Sequence, residues 1–501
     1  MTTGTRSGFA IALMVLGSTM RTWAEEYLVE NTAELKAAVA KAGPGDAIVM
    51  REASWYNVTI HFQGKGTEKS PIILRARNPG KVVIAGTSSL KIDGEYLVAD
   101  GLVFKNGQPN TDKLISFGSS SRPSHHCRLT NTAIIDYNNP DRKKKYYWVS
   151  LYGTHNRVDH CLFSEMKNIG VTVVVWIGDD DPPNYHRIDH NFFDRRPEGD
   201  GNGYEALRIG DSKRSMKNSR TTTEYNLFSQ CDGETEIISN KACENTYRHN
   251  TFVNCKGMLT LRHGNRCVVE GNFFFGAGNN GTGGIRVMGE GHRIINNYLQ
   301  DVGATDYHAA ISLMNGVPDS PLNRYFQVKD CIIAHNTLVN TKWSITSGGN
   351  HDKGAPLPPE DTLIANNLVL SKRSPMIKYF GTKQPDVTYK GNIMYGADLG
   401  IDIPRGIRIE DPRMVESADG LWRPDADSPI IGAAEAEIGI QMRMDMDGQP
   451  VNDKRSIGAD EPSKATIRIR PLGPGDVGPG WRLNLKNIER GESSAPGNPS
   501  R

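Results

Sequence analysis

A short phrase that recurs along the chain constrains the fold more than any other feature. An apolar segment, an Asn, then aromatic or aliphatic residues appear as RIDHNFF around Asn191, TTEYNLF around Asn226, TYRHNTF around Asn250 and VVEGNFFF around Asn272. The phrase returns as RIINNYL around Asn297, CIIAHNTL around Asn336, LIANNLV around Asn367 and TYKGNIM around Asn392, and VDHCLF carries Cys161 in the Asn position. Successive intervals are 30, 35, 24, 22, 25, 39, 31 and 25 residues. A period of 22 to 25 matches one coil of a parallel β-helix, and the longer intervals are coils with inserted loops. Short β-branched and aromatic runs broken by Gly, Asn and Asp supply the strands and turns. An Asn repeated at one turn can bond backbone groups of its own coil and the next, and tolerates left-handed geometry. The fold expected is all-β, a single-stranded parallel β-helix.

A solenoid must cap its ends. Glu34 to Ala42 places Leu35, Ala38, Val39 and Ala42 on one helical face, Asn31 with Glu34 resembles a capping box, and Gly43-Pro44-Gly45 stops the helix. This helix is expected to cover the N-terminal end. The β-helix is expected to span residues 25–462. Beyond Pro462 the composition shifts to Pro, Gly, Ser and Arg, so residues 463–501 read as a flexible, largely unpacked tail.

Residues 1–24 read as a secretion signal: Arg6 in the n-region, the apolar run Phe9 to Leu16, and Thr22-Trp23-Ala24 at the cleavage positions. The run is too short to span a bilayer. Export to the periplasm or the medium is expected. The whole sequence carries 59 Lys+Arg against 57 Asp+Glu, a net charge of +2, which gives no field for nucleic acid. Seven cysteines in an exported chain raise the question of disulfides. Cys231, Cys243, Cys255 and Cys267 fall 12 apart without a zinc pattern, so a buried ladder is expected, with Cys231 over Cys255 and Cys243 over Cys267.

In a β-helix the ligand groove is a lateral face where outward side chains of successive coils align. NGYEALRIG (Asn202 to Gly210), GETEIISNK (Gly233 to Lys241), LRHGN (Leu261 to Asn265) and GGIRVMGEGH (Gly283 to His292) follow one another by about a coil. Glu234 and Glu236, two apart, point to one face of a strand and, with Asn202 a looped coil away, make a hard-oxygen Ca²⁺ site. Arg262 and Arg286 are 24 apart and are expected to stack on that face, with Lys241 just past the strand. Cations beside an acidic pair suit an acidic sugar polymer.

These four segments, in this order and spacing, resemble polysaccharide lyase family 6, which contains alginate lyases and chondroitinase B. The resemblance spans Glu25 to about Glu461 and implies a right-handed parallel β-helix. It implies that Asn202, Glu234 and Glu236 bind Ca²⁺, that Lys241 is the Brønsted base and that Arg262 is the acid. Arg286 and the segment Met314 to Val328 resemble the alginate-cleaving branch. The reaction implied is β-elimination: Lys241 takes the C5 proton of a uronate, Arg262 acts at the glycosidic oxygen, and Ca²⁺ neutralises the carboxylate. Neighbouring cations are expected to lower the Lys241 pKa. Tyr307 and His308, one coil after Arg286, are expected in the substrate groove, and Glu205 either joins the Ca²⁺ shell or pairs with Arg208. Asp141 to Trp148 (DRKKKYYW) is a further candidate subsite on a loop, and His125, His126 and His155 have only core or turn roles. The expected partner is alginate or another poly-uronate, and the protein is expected to be a monomer or homodimer. Alternatives are a dermatan sulfate lyase of the chondroitinase B type and a non-catalytic glycan-binding β-helix. A pectinase-type hydrolase would need aligned Asp residues, and Asp179 to Asp181 read as a loop instead.

Overall fold

The computed structural model describes residue 1, residues 24–52 and residues 54–482. The expected signal segment therefore lies almost wholly outside the described residues. From Glu26–Val29 to Val387–Lys390, fourteen short strands stack in parallel into a first sheet. The other two faces of the coils, a second and a third sheet, are joined through the long strand Val82–Glu95, which pairs with Leu102–Pro109 in the second and with Lys113–Phe117 in the third. The result is the expected parallel β-helix. Among the described residues no helix is long and apolar enough to cross a membrane.

The repeated Asn lies at the corner between the first and second sheets. Each one is fully buried, and its Oδ1 accepts both the backbone N–H and the side-chain Nδ2 of the Asn one coil earlier: Asn191 to Asn226 at 3.0 and 3.0 Å, and Asn226 to Asn250 likewise. The ladder runs unbroken to Asn392 and begins at Cys161, whose N–H donates to Asn191. A buried amide is costly unless satisfied, and here every coil satisfies the next. The left-handed conformation belongs to the residue before each ladder Asn, not to the Asn itself: His190, Tyr225 and His249 have φ of 53°, 52° and 54°. Aromatic rings stack at the coil repeat beside the ladder, Phe193, Phe228, Phe252 and Phe274 at 4.6, 4.8 and 4.4 Å. His126 and His155 form a similar stack with Tyr96 and Tyr185, in keeping with turn roles.

The helix spans Thr32–Lys41, starting two residues earlier than expected because Asn31 caps it by accepting the Glu34 N–H at 3.0 Å. Leu35, Ala38 and Val39 are its buried face, set against the first coils. All seven cysteines are buried and free. Cys231 lies under Cys255, its N–H donating to Cys255 Sγ at 3.3 Å. Cys243 and Cys267 do not stack: Asn265 N–H donates to Cys243, while Cys267 lies two residues further along the coil, level with Asn245, with its N–H on His292. The coil here is 22 residues long rather than 24, so the equal spacing of the cysteines drifts out of register.

The unpacked tail is corrected over its described part. Residues 463–482 run back along the second sheet toward the N-terminal coils. Val477 is buried in a cluster with Ala133, Leu162, Phe192 and Leu227, and Leu472 and Trp481 pack against it. Trp481 Nε1 donates to the Asn131 carbonyl at 2.8 Å, and its ring lies on Gly80, where a Cβ would overlap it. The apolar residues of this segment are too few and irregularly spaced to show a period, yet they meet an outer sheet face that is itself apolar. Residues 483–501 lie outside the described residues.

Candidate active site

Five strands of the third sheet build the site: Leu207–Gly210, Glu236–Lys241, Gly257–His263, Thr282–Val287 and Ile311–Met314. Leu207, Ile238, Leu259, Ile285 and Ile311 lie in register and fill the interior. The next residue of each strand, Arg208, Ser239, Thr260, Arg286 and Ser312, therefore faces outward.

Three register shifts set the geometry. Asn240 pairs with Leu261 but Lys241 pairs with His263, which leaves Arg262 as the extra residue. Bulges of this kind re-aim a side chain. A second register shift precedes Leu259, so Arg286 sits opposite Thr260 and not opposite Arg262. The two arginines share a face, but their spacing of one nominal coil does not stack them. Nor does strand alternation place Glu234 beside Glu236. The strand begins at Glu236, Glu234 lies in the turn before it, and Ile237 is a bulged, buried residue. Glu234 is fixed instead by the Asn202 loop, with Gly203 N–H donating to its Oε2 at 3.0 Å.

Asn202, Glu205, Glu234, Glu236, Lys241, Arg262, Arg286 and Tyr307 line one cleft of about 370 Å³. His308 lines the adjoining cleft of about 510 Å³, which shares Asn202, Glu234 and Thr235 with the first. Its ring lies 4.1 Å from that of Tyr307, and burial, with Arg286 nearby, pushes its pKa down to about 4.

The cleft concentrates charge. Glu236 Oε1 accepts Arg286 Nη2 at 2.7 Å and lies 3.7 Å from Arg262 Nε, and the Ser239 hydroxyl donates to its other oxygen. Burial, then the carboxylates of Glu205 and Glu236, push the Glu234 carboxyl up to about 8. Glu205 is buried, with Oε1 3.9 Å from Lys241 Nζ and 4.0 Å from Arg208, while its Oε2 has no hydrogen-bond partner. Lys241 thus faces a carboxylate, which the expectation of neighbouring cations did not include. Burial pushes the Arg262 guanidinium below its usual range, and its plane lies 4.2 Å from the Tyr325 ring centre. Arg286 is nearly enclosed, and its Nε has no partner.

A cation fits among these residues. Three carboxylates crowd together, burial and the other two push the pKa of one of them up, and another has an unsatisfied oxygen. Among the described residues no group of three or more His, Cys, Asp or Glu closes around a metal by itself. A hard cation on Glu234 and Glu236 would therefore draw further oxygens from Asn202, substrate and water.

Sequence reasoning missed Ser212, Thr235, Tyr325, Asn350 and Lys353, which also line the cleft. Tyr325 lies in the longest inserted coil, the 39-residue interval between Asn297 and Asn336, within the segment Met314 to Val328 whose likeness to the alginate-cleaving branch was the available signal. His263, buried and neighboured by Arg262 and Lys241, has its pKa pushed down to about 3, so it stands beside the site as neutral imidazole. The Asp141 to Trp148 segment reaches the same face: Tyr147 meets Trp176 edge-on at 5.2 Å, and Arg208 lies 5.2 Å over Trp176. Asp179 pairs with Arg214 at 2.8 Å, outside the cleft.

The chondroitinase B family profile matches residues 29–434. The chain belongs to that family, polysaccharide lyase family 6. Among solved structures it is similar to the PL6 family alginate lyase AlyGC, at 35% identity and a TM-score of 0.81 over 91% of this chain. The chain spans 58% of the length of AlyGC. It is also similar to a mannuronic acid specific family 6 lyase from human gut microbiota, at 33% identity and a TM-score of 0.69, covering 76% of this chain and 92% of that one. A third is the PL6 polysaccharide lyase Pedsa3628 from Pseudopedobacter saltans, at 29% identity and a TM-score of 0.65, covering 91% and 99%. No curated protein matches the chain.

Proposed function

We propose that the chain is an exported lyase that cleaves alginate by β-elimination with the help of Ca²⁺. The observation that carries this reading is one cleft in which Lys241, Arg262 and Arg286 face the carboxylates Glu234 and Glu236. The likeness to family 6 lyases, AlyGC among them, supports it. So does the N-terminal sequence, with its charged start, apolar run and small residues, for export.

Neutral Lys241 takes the C5 proton of a uronate bound in the cleft. The electron pair released becomes the C4–C5 double bond, the C4–O bond breaks, and the departing oxygen takes a proton at Arg262. Burial makes that proton easier to give than from a solvated guanidinium, and Tyr325 holds the guanidinium plane. Glu205 lies where it can hold the Lys241 ammonium that results. Arg286, whose side chain lines the cleft beside Glu236, binds the uronate carboxylate through charge-assisted hydrogen bonds. Ca²⁺ held by Asn202, Glu234 and Glu236 would supply positive charge against that carboxylate and so acidify the C5 proton.

The test is turnover of alginate, poly-mannuronate, poly-guluronate and dermatan sulfate, followed by absorbance of the unsaturated uronate. Lys241→Ala is expected to lose at least ~10²–10⁴-fold in rate with substrate binding retained. Arg286→Ala is expected to raise KM and lower kcat on alginate. Near-wild-type turnover by Lys241→Ala would place the base elsewhere, and preferential cleavage of dermatan sulfate would overturn the substrate.

A further inference from the structure

Asn240 stands in a row of the interior that is otherwise apolar for several coils. Leu151, Val175, Ile209, Asn240, Leu261, Val287 and Leu313 are in register one above another, all fully buried. The single polar residue falls in the one coil that carries Lys241. Its side chain is completely satisfied. Nδ2 donates to the Ala242 carbonyl at 2.9 Å and to the His263 carbonyl at 2.7 Å. Oδ1 accepts from Asn245 Nδ2 at 2.7 Å and from the Tyr247 hydroxyl at 2.7 Å.

Tyr247 is equally exceptional. Its neighbours in register are Thr223 and Val269, and it too is fully buried, so its hydroxyl reaches from the first sheet across the interior to Asn240 in the third. A polar strut thus crosses the solenoid at the level of the site. An apolar pair would fill this space without desolvating four polar groups, so the strut is not what packing alone requires.

The two carbonyls that Asn240 holds follow immediately after Lys241 and Arg262. One lies immediately past the end of the base's strand, and the other in the adjacent strand just past the bulge that turns Arg262 outward. We propose that Asn240, braced by Tyr247 and Asn245, is a positioning residue that fixes the backbone of Lys241 relative to that of Arg262. The bulge removes regular register between these strands where the chemistry needs it fixed, and the Asn240 amide supplies the missing cross-link. This inference rests on the lyase reading, because it takes Lys241 and Arg262 as the acting pair.

The experiment compares wild type, Tyr247→Phe and the double variant Asn240→Leu/Tyr247→Phe on alginate. The double variant removes the Asn240–Tyr247 bond from both sides but leaves the Ala242 and His263 carbonyls and Asn245 Nδ2 without Asn240, so its Tm is expected to fall. At a temperature where both proteins are fully folded, the double variant is expected to keep a wild-type KM while kcat falls about 10–100-fold, the cost of misplacing reacting groups by a fraction of an ångström to an ångström. Tyr247→Phe should fall in between, because Asn240 keeps both carbonyl bonds. Hydrogen exchange at the amides of residues 241–243 and 262–264 should rise in the double variant whether or not a substrate is present. A double variant with wild-type kcat and unchanged exchange overturns the positioning role. Loss of kcat in proportion to lost folded protein would make Asn240 merely structural and also overturn it. A wild-type protein that leaves alginate intact would instead overturn the lyase reading, and the exchange measurement would then judge the strut alone.

Discussion

Replacing Asn226 with Ala tests how the Asn ladder holds the solenoid. Asn226 Oδ1 is the acceptor for two donors of Asn191, its backbone N–H and its Nδ2, both at 3.0 Å, and all of these groups are fully buried. The substitution strands the backbone N–H, while Asn191 Nδ2 keeps its bond to the Val158 carbonyl at 2.8 Å. It also removes Asn226 Nδ2 from the Ile188 and Glu224 carbonyls. One wholly unpaired buried donor costs ~1–3 kcal/mol, and the weakened partners with the small cavity bring the expected loss to about 3–4 kcal/mol. Cys161→Asn should act in the opposite sense. Cys161 already donates its N–H to Asn191, and an amide there would add a second bond to the same oxygen, a gain of about 1 kcal/mol. Urea unfolding and refolding, monitored by tryptophan fluorescence, measures both. A loss under 1 kcal/mol in Asn226→Ala would mean that the stacked rings and apolar core, rather than the ladder, fix the corner.

Three further outcomes are expected. Chelation should abolish turnover, with rescue by Ca²⁺ but poorly by Mg²⁺, and saturating Ca²⁺ should raise Tm in wild type but not in Glu234→Gln; an unchanged wild-type Tm and full activity after verified metal removal would contradict the site. Trp481→Ala should cost about 2 kcal/mol, because it empties the contact with Gly80 and the Asn131 carbonyl, and an unaltered unfolding midpoint would show that the segment does not brace the coils. Burial alone would raise the Asp159 carboxyl, but bonds from Arg128 and His160 hold it well below the ordinary 3.8, so its charge stabilises the fold above that pH and the contribution is lost as pH falls beneath it. Asp159→Asn should therefore be less stable by on the order of 2 kcal/mol at neutral pH, with the gap closing below about pH 4, and a constant gap in acid would refute the assignment.

Periodicity made the architecture readable. Asn191 to Asn392 mark one corner of successive coils because a buried amide demands the same partner in each. Residue types and order likewise brought Lys241, Arg262, Arg286 and the two glutamates into one cleft. What the sequence could not convey was local register. The bulges at Ile237 and Arg262 each add one residue to a strand, and nothing in EIISNK or LRHGN announces them. The first leaves Glu234 in a turn and the second turns Arg262 outward, while a further shift before Leu259 sets Arg286 opposite Thr260. Tyr325 escaped notice because an inserted loop obeys no period, and Trp481 because an outer apolar sheet face is visible only once the coils are stacked.

The most direct test of the central claim is to run the reaction on alginate in heavy-oxygen water and analyse the products by mass spectrometry. Elimination predicts product ends that carry a C4–C5 double bond and no solvent oxygen, with masses that sum to that of the substrate. Products that incorporate one solvent oxygen per cleavage and lack the double bond would show hydrolysis and contradict the account.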